Sequence, residues 1–138
     1  MNVAINWWAV ILATASSMVV GTIWYARSVF GNTWMKLAKV DSKKIGNPTR
    51  SIIVTVIVSF ITAYVLAHMT YVSHNFFNDT YFVDAVLTAF WLWLGFTAAR
   101  FVTHDAFEGR PIKLTLINCA HELVTLVVMG AIIGWIGV

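Results

Sequence analysis

The sequence predicts an all-α integral membrane protein, a bundle of four transmembrane helices, on three observations. Of its 138 residues 59% are apolar and 11% charged. A soluble domain is about 45–50% apolar and about a quarter charged, so the charges here are too few to cover a water-facing surface. Four apolar stretches reach the ~20 residues with which a helix crosses roughly 30 Å of hydrocarbon. All nine Lys and Arg fall in or beside two of the three connections between those stretches. The mean hydropathy of +0.78 excludes a disordered chain. At this length, residues 1–138 are expected to form a single membrane domain. The lone Cys119 rules out a disulfide within the chain and a thiolate metal cluster.

The predicted spans are residues 5–26, 51–71, 81–102 and 112–136. Each is bounded by breaking residues: Arg27 and the Gly31-Asn32 pair, Gly46-Asn47-Pro48, the polar run Ser73 to Thr80, and Glu108-Gly109-Arg110-Pro111. Pro111 suits a helix start. The first stretch is read as a retained span and not a cleaved signal, because no Lys or Arg precedes it and it exceeds an h-region of about 7–15 residues.

Lys and Arg resist translocation, so their positions set orientation. Arg27, Lys36, Lys39, Lys43, Lys44 and Arg50 flank the first connection, and Arg100, Arg110 and Lys113 flank the third. The termini and the second connection carry none and are expected on the non-cytoplasmic side of a bacterial inner membrane. Nearly balanced charge would be needed for dual topology, and this chain is not balanced. The same sorting removes nucleic acid as a reading of the +3 net charge.

Residues 28–47 form a basic segment. Phe30, Trp34, Leu37 and Ala38 recur at helical spacing while Lys36, Lys39, Lys43 and Lys44 take other faces, which predicts a short interfacial helix over residues 33–45 capped by Asn32. Its expected role is anchoring at the membrane surface, through Trp34 and the four lysines, or recognition of anionic headgroups. Trp7, Trp8 and Trp135, then Trp24, Tyr25 and Trp34, then Tyr71 and Tyr81, mark the interfaces. Trp91 and Trp93 fall in mid-span, where an indole N–H needs a partner.

Polar residues within a span are costly and are the first place to seek function. In the fourth span Thr115, Asn118, Glu122 and Thr125 share one helical stripe, with His121 beside it and Met129 continuing it. Glu122 lies roughly 15 Å past Pro111 along the helix, a depth that Trp91 is expected to share. A carboxyl there must be protonated or partnered. Three readings stand for Asn118, His121, Glu122 and Trp91: a proton-titrating site of a small carrier or channel, a site for a lipid, quinone or ion ligand, or a hydrogen-bonded clamp between helices. The pair His121-Glu122 does not continue into a zinc-protease helix, because Thr125 stands where H-E-x-x-H needs its second His. No nucleophile or phosphate-loop motif occurs, so no cofactor, metal or catalytic residue is assigned and a non-enzymatic role is expected.

His104 with Asp105 reads as a solvated pair, and Asp84 and Arg100 as structural groups near the interfaces, with His68 a candidate partner for Asp84. Ala9, Ala13, Ser17 and Gly21, and Gly130 with Gly134, offer smooth strips for close helix packing, within the bundle or in a homo-oligomer. Asn78-Asp79-Thr80 matches a glycosylation sequon by chance.

Several short motifs carry a resemblance: Gly21-Thr-Ile-Trp24-Tyr25 followed by Phe30-Gly31-x-x-Trp34, Asp84-Ala85, Trp93-Leu94-Gly95-Phe96, Phe107-x-Gly109, Asn118-x-x-His121, and Met129 to Gly134. Through them the chain resembles a family of small bacterial membrane proteins, domain of unknown function 1761. The resemblance implies a four-helix membrane protein and no particular activity.

Overall fold

A computed structural model describes residues 3–40 and 46–138. Its elements are α1 (Trp7–Trp24), α2 (Gly31–Leu37), α3 (Thr49–Phe77), α4 (Tyr81–Leu92), a π-helical segment (Trp93–Ala98), α5 (Ala99–Phe107) and α6 (Ile112–Ile136). With α4, the π segment and α5 running on as one rod, four helices among the described residues are long and apolar enough to cross a membrane. The exposed Ile, Val, Leu and Phe side chains along them are the surface that lipid would cover.

Helix starts follow local chemistry. The Asn6 side chain accepts from the amides of Trp8 and Ala9 at 3.1 and 3.4 Å, meeting two of the donors that an α-helix leaves unpaired. Thr80 does the same for Val83 at 3.3 Å. The second span is longer than its hydropathy suggests, running to Phe77, because Ser73 and His74 stay helical and turn to Asp84 at 3.4 and 3.1 Å. It ends where Asn78 turns left-handed at φ 57°, a conformation that Asn tolerates. His74, and not His68, is thus the partner of Asp84, which is 2% exposed. His68 instead meets its own helix at the Tyr64 carbonyl, 3.1 Å away.

The third span also runs past its expected end, to Phe107. Its π segment re-aims the side chains that follow Leu92, and Trp93 Nε1 donates to the Cys119 carbonyl at 2.8 Å. Such insertions are rare and concentrate at functional places. The fourth span matches its predicted range, residues 112–136.

The four spans close a ring. α6 lies between α1 and α4, α3 packs against α1 and α4, and α3 and α6 touch only slightly across the diagonal. The small residues bring α6 and α4 together within the chain. A Cβ on Gly134 would stand 2.6 Å from the Phe82 Cα, and one on Gly130 2.8 Å from the Ala85 carbonyl. Ala9, Val10 and Ala13 pack with Ala63, Leu66, Ala67, Leu126, Met129 and Ile133 into a tight core. That core fills the half of the bundle holding the termini and the α3–α4 turn. In the other half α3 leans outward, and residues 51–58 are all exposed.

The connection after α1 folds back upon the bundle. A Cβ at position 31 would collide with the Tyr25 carbonyl and sit 2.9 Å from that of Ala26, so Gly31 alone permits this approach. The short helix begins there, earlier than expected, and stops at Leu37 before Lys39 turns to φ 54°. Asn32 is not its cap; its Nδ2 donates back to the Arg27 carbonyl at 3.0 Å. Lys43 and Lys44 lie outside the described residues.

Candidate functional site

Where α3 leans away, a cavity of about 560 Å³ opens between α1, α3 and α6. α1 contributes Ser17, Met18, Gly21 and Thr22, Tyr25 follows just past its end, and α6 contributes His121, Glu122 and Thr125. The wall from α3 includes Thr55, Ser59 and Thr62. The small-residue strip of α1 explains the opening. Ala9, Ala13 and Ser17 are buried by neighbouring helices, but Gly21 is not, and it leaves room for the imidazole of His121, whose Nε2 lies 3.6 Å from where a Gly21 Cβ would be.

Glu122 and His121 both reach this cavity although they are neighbours in sequence. The imidazole Nδ1 lies 3.2 Å from Glu122 Oε1, and Nε2 lies 3.5 Å from the Thr125 hydroxyl. With the proton on Nδ1, the ring donates to the carboxylate and accepts from Thr125. Glu122 is 36% exposed and bonds to no other helix among the described residues. Asn118 behaves differently. Its Oδ1 accepts from Trp34 Nε1 at 3.0 Å and stands 3.4 Å from the Tyr25 hydroxyl, so it ties α2 and the end of α1 to α6.

Two expectations change. Trp91 is 64% exposed on the outer face beside Phe90, and it does not line the cavity. A turn of α4 points Trp91 outward, while Trp93 faces α6. Trp34, expected only as an anchor, turns inward to Asn118 and packs edge-on against Tyr25 at 5.4 Å. Lys36 and Lys39 remain exposed, as anchoring at a surface requires.

Several other polar groups of the spans are tied up structurally, whereas Trp24 Nε1 and Thr70 Oγ1 are buried with no partner among the described residues. Asp105 is not a solvated partner of His104. It is 5% exposed, accepts from Thr115 at 2.6 Å and faces Arg110 at 3.8 Å, binding α5 to α6. Thr115 therefore leaves the Glu122 stripe, since two turns of helix separate them and bring it level with Asp105 instead. Among the described residues no group of three His, Cys, Asp or Glu could hold a metal ion.

The convergence of Trp24, Tyr25, Gly31, Trp34, Asn118 and His121 brings together motifs that lie far apart in the sequence. A family model described as "Protein of unknown function (DUF1761)" matches residues 8–134. The chain belongs to the DUF1761 family. No curated protein and no solved structure matches it. In this DUF1761 chain the aromatic motifs build one wall around His121: Tyr25 lies 4.9 Å and Trp24 6.0 Å from the imidazole, and Phe30 packs 4.6 Å from Trp24. Tyr25 and Gly31 were not singled out as site residues from sequence, although the spacing Trp-Tyr then Phe-Gly-x-x-Trp was the signal that they share a turn.

Proposed function

We propose that this membrane protein is a non-enzymatic binding or transport protein whose polar intramembrane site is the pair His121 and Glu122. One observation carries the reading: Glu122 opens into a cavity of about 560 Å³ and makes no bond to another helix among the described residues. A carboxyl inside a span is too costly to keep without a use. A helix clamp must join two helices, and here Asn118 does so while Glu122 does not. The volume is in the range of small-molecule sites. The excess of Lys and Arg at the first and third connections supports a bacterial inner membrane setting with both termini non-cytoplasmic, which would turn the cavity toward the cytoplasmic half.

Glu122 is the group to test. The titratable side chains facing it in the cavity are His121 and Tyr25. Reconstituted into vesicles enclosing a pH-sensitive dye, the wild-type chain should speed the collapse of an imposed pH gradient. Glu122→Gln keeps the size of the side chain and an acceptor for Nδ1, so it should abolish that acceleration without lowering the unfolding midpoint in detergent. Equal rates for the two proteins would exclude a proton role for Glu122.

A further inference from the structure

Resting on the binding reading above, we infer that the cavity selects an ammonium group, carried by a free organic amine or by an amine-bearing lipid headgroup, and rejects anions such as phosphates. The first ground is where the donor hydrogens go. Ser17 donates to the Thr14 carbonyl at 2.7 Å, Thr22 to Met18 at 2.7 Å, Thr55 to Ser51 at 2.8 Å and Thr62 to Val58 at 2.9 Å. A hydroxyl whose hydrogen is spent on its own helix presents only lone pairs to the cavity. The Tyr25 hydroxyl points to Asn118, and with its proton on Nδ1 the His121 ring donates to Glu122. Of the hydroxyls in the described lining only Ser59 makes no hydrogen bond, so the wall mainly accepts and keeps one free O–H donor.

Charge points the same way. Glu122 is the acidic residue of the lining, and the lining contains no Lys or Arg among the described residues. An anion would meet a carboxylate and a wall made mostly of lone pairs, with the Ser59 hydroxyl as its one free donor. A primary ammonium brings three donors and a positive charge, and the aromatic ring of Tyr25 is part of the lining. A bare metal ion fits less well, because the cavity is far larger than one ion and no three-ligand cluster exists among the described residues. Access is lateral as well. Residues 51–58 of α3 are exposed, and a second, apolar groove of about 460 Å³ shares Thr62 and Leu126 with the cavity and continues to Leu92 and Phe96. An amine with an apolar tail has a place for both ends.

A matched pair of dyes tests this. Dansylcadaverine carries a primary ammonium on a flexible tether, and dansyl-aminohexanoic acid carries a carboxylate on a similar tether. Binding is read from the saturable blue-shifted fluorescence of the full chain in nanodiscs of phosphatidylglycerol alone. The cationic dye should bind and the anionic dye should not. Glu122→Gln should weaken the cationic dye about tenfold, the factor that corresponds to ~1.4 kcal/mol. Thr55→Trp, at an exposed position of the cavity wall, should block binding by occlusion while folding normally. Adding phosphatidylethanolamine to the nanodiscs distinguishes the sources: competition with the dye assigns the ammonium to a lipid headgroup, and no competition assigns it to a free amine. Unchanged affinity in Glu122→Gln overturns the ammonium site. If the anionic dye binds and Thr55→Trp blocks it, the charge assignment falls while the cavity remains a binding site. If neither dye binds saturably, both the ammonium site and the binding reading fall.

Discussion

Replacing Asn118 by Leu should loosen the bundle, because this side chain receives bonds from both Trp34 and Tyr25. The Trp34 N–H bond at 3.0 Å has good length, and the Tyr25 hydroxyl contact at 3.4 Å is long for an O–H donor. Hydrogen bonds between helices in membranes average about 0.6 kcal/mol and reach about 1.7 kcal/mol. The first bond should supply most of the loss and the second little, for a total of about 1–2 kcal/mol. The assay is equilibrium unfolding in mixed micelles with increasing dodecyl sulfate, followed by proteolysis of the unfolded fraction. A cycle with Trp34→Phe, which keeps a ring without its N–H, isolates the bond. Asn118→Leu and Trp34→Phe together should cost less than the sum of the single changes by about 0.6 kcal/mol or more. Strict additivity, or an Asn118→Leu variant as stable as wild type, would refute the claim that Asn118 latches α2 to α6.

The glycines should divide by what faces them: Gly134→Ala pushes a Cβ to 2.6 Å from the Phe82 Cα and should cost about 1–3 kcal/mol in the same assay. Gly21→Ala meets only the His121 ring at 3.6 Å and should leave the midpoint unchanged. Asp84→Ala strips the buried partner of Ser73 and His74 and should destabilise by about 1–3 kcal/mol, whereas Asp84→Asn, which keeps an acceptor, should cost less.

The span pattern could be read from composition because hydrocarbon imposes a length and a polarity on any crossing helix. The start of the fourth span at Ile112 follows from Pro111 in the same local way. Span ends were less readable where a polar residue finds a tertiary partner. Ser73 and His74 look like loop until Asp84 is seen to hold them, and the third span continues through Arg100 to Phe107. The polar stripe of α6 was legible as a stripe, since helical periodicity needs no neighbours. Its division of labour was not.

Hydropathy and residue spacing suffice for a four-helix membrane protein, its basic connections, and the presence of a carboxyl and an imidazole at mid-span. These depend on period and composition, which are local. Helix packing assigns Thr115 to Asp105 and Asn118 to Trp34, and leaves His121 and Glu122 lining the cavity. The reason is that a helix face has no fixed neighbour until the other helices are placed. A π turn at Trp93, a glycine at position 31 and the outward lean of α3 each re-aim side chains by an amount that hydropathy does not encode.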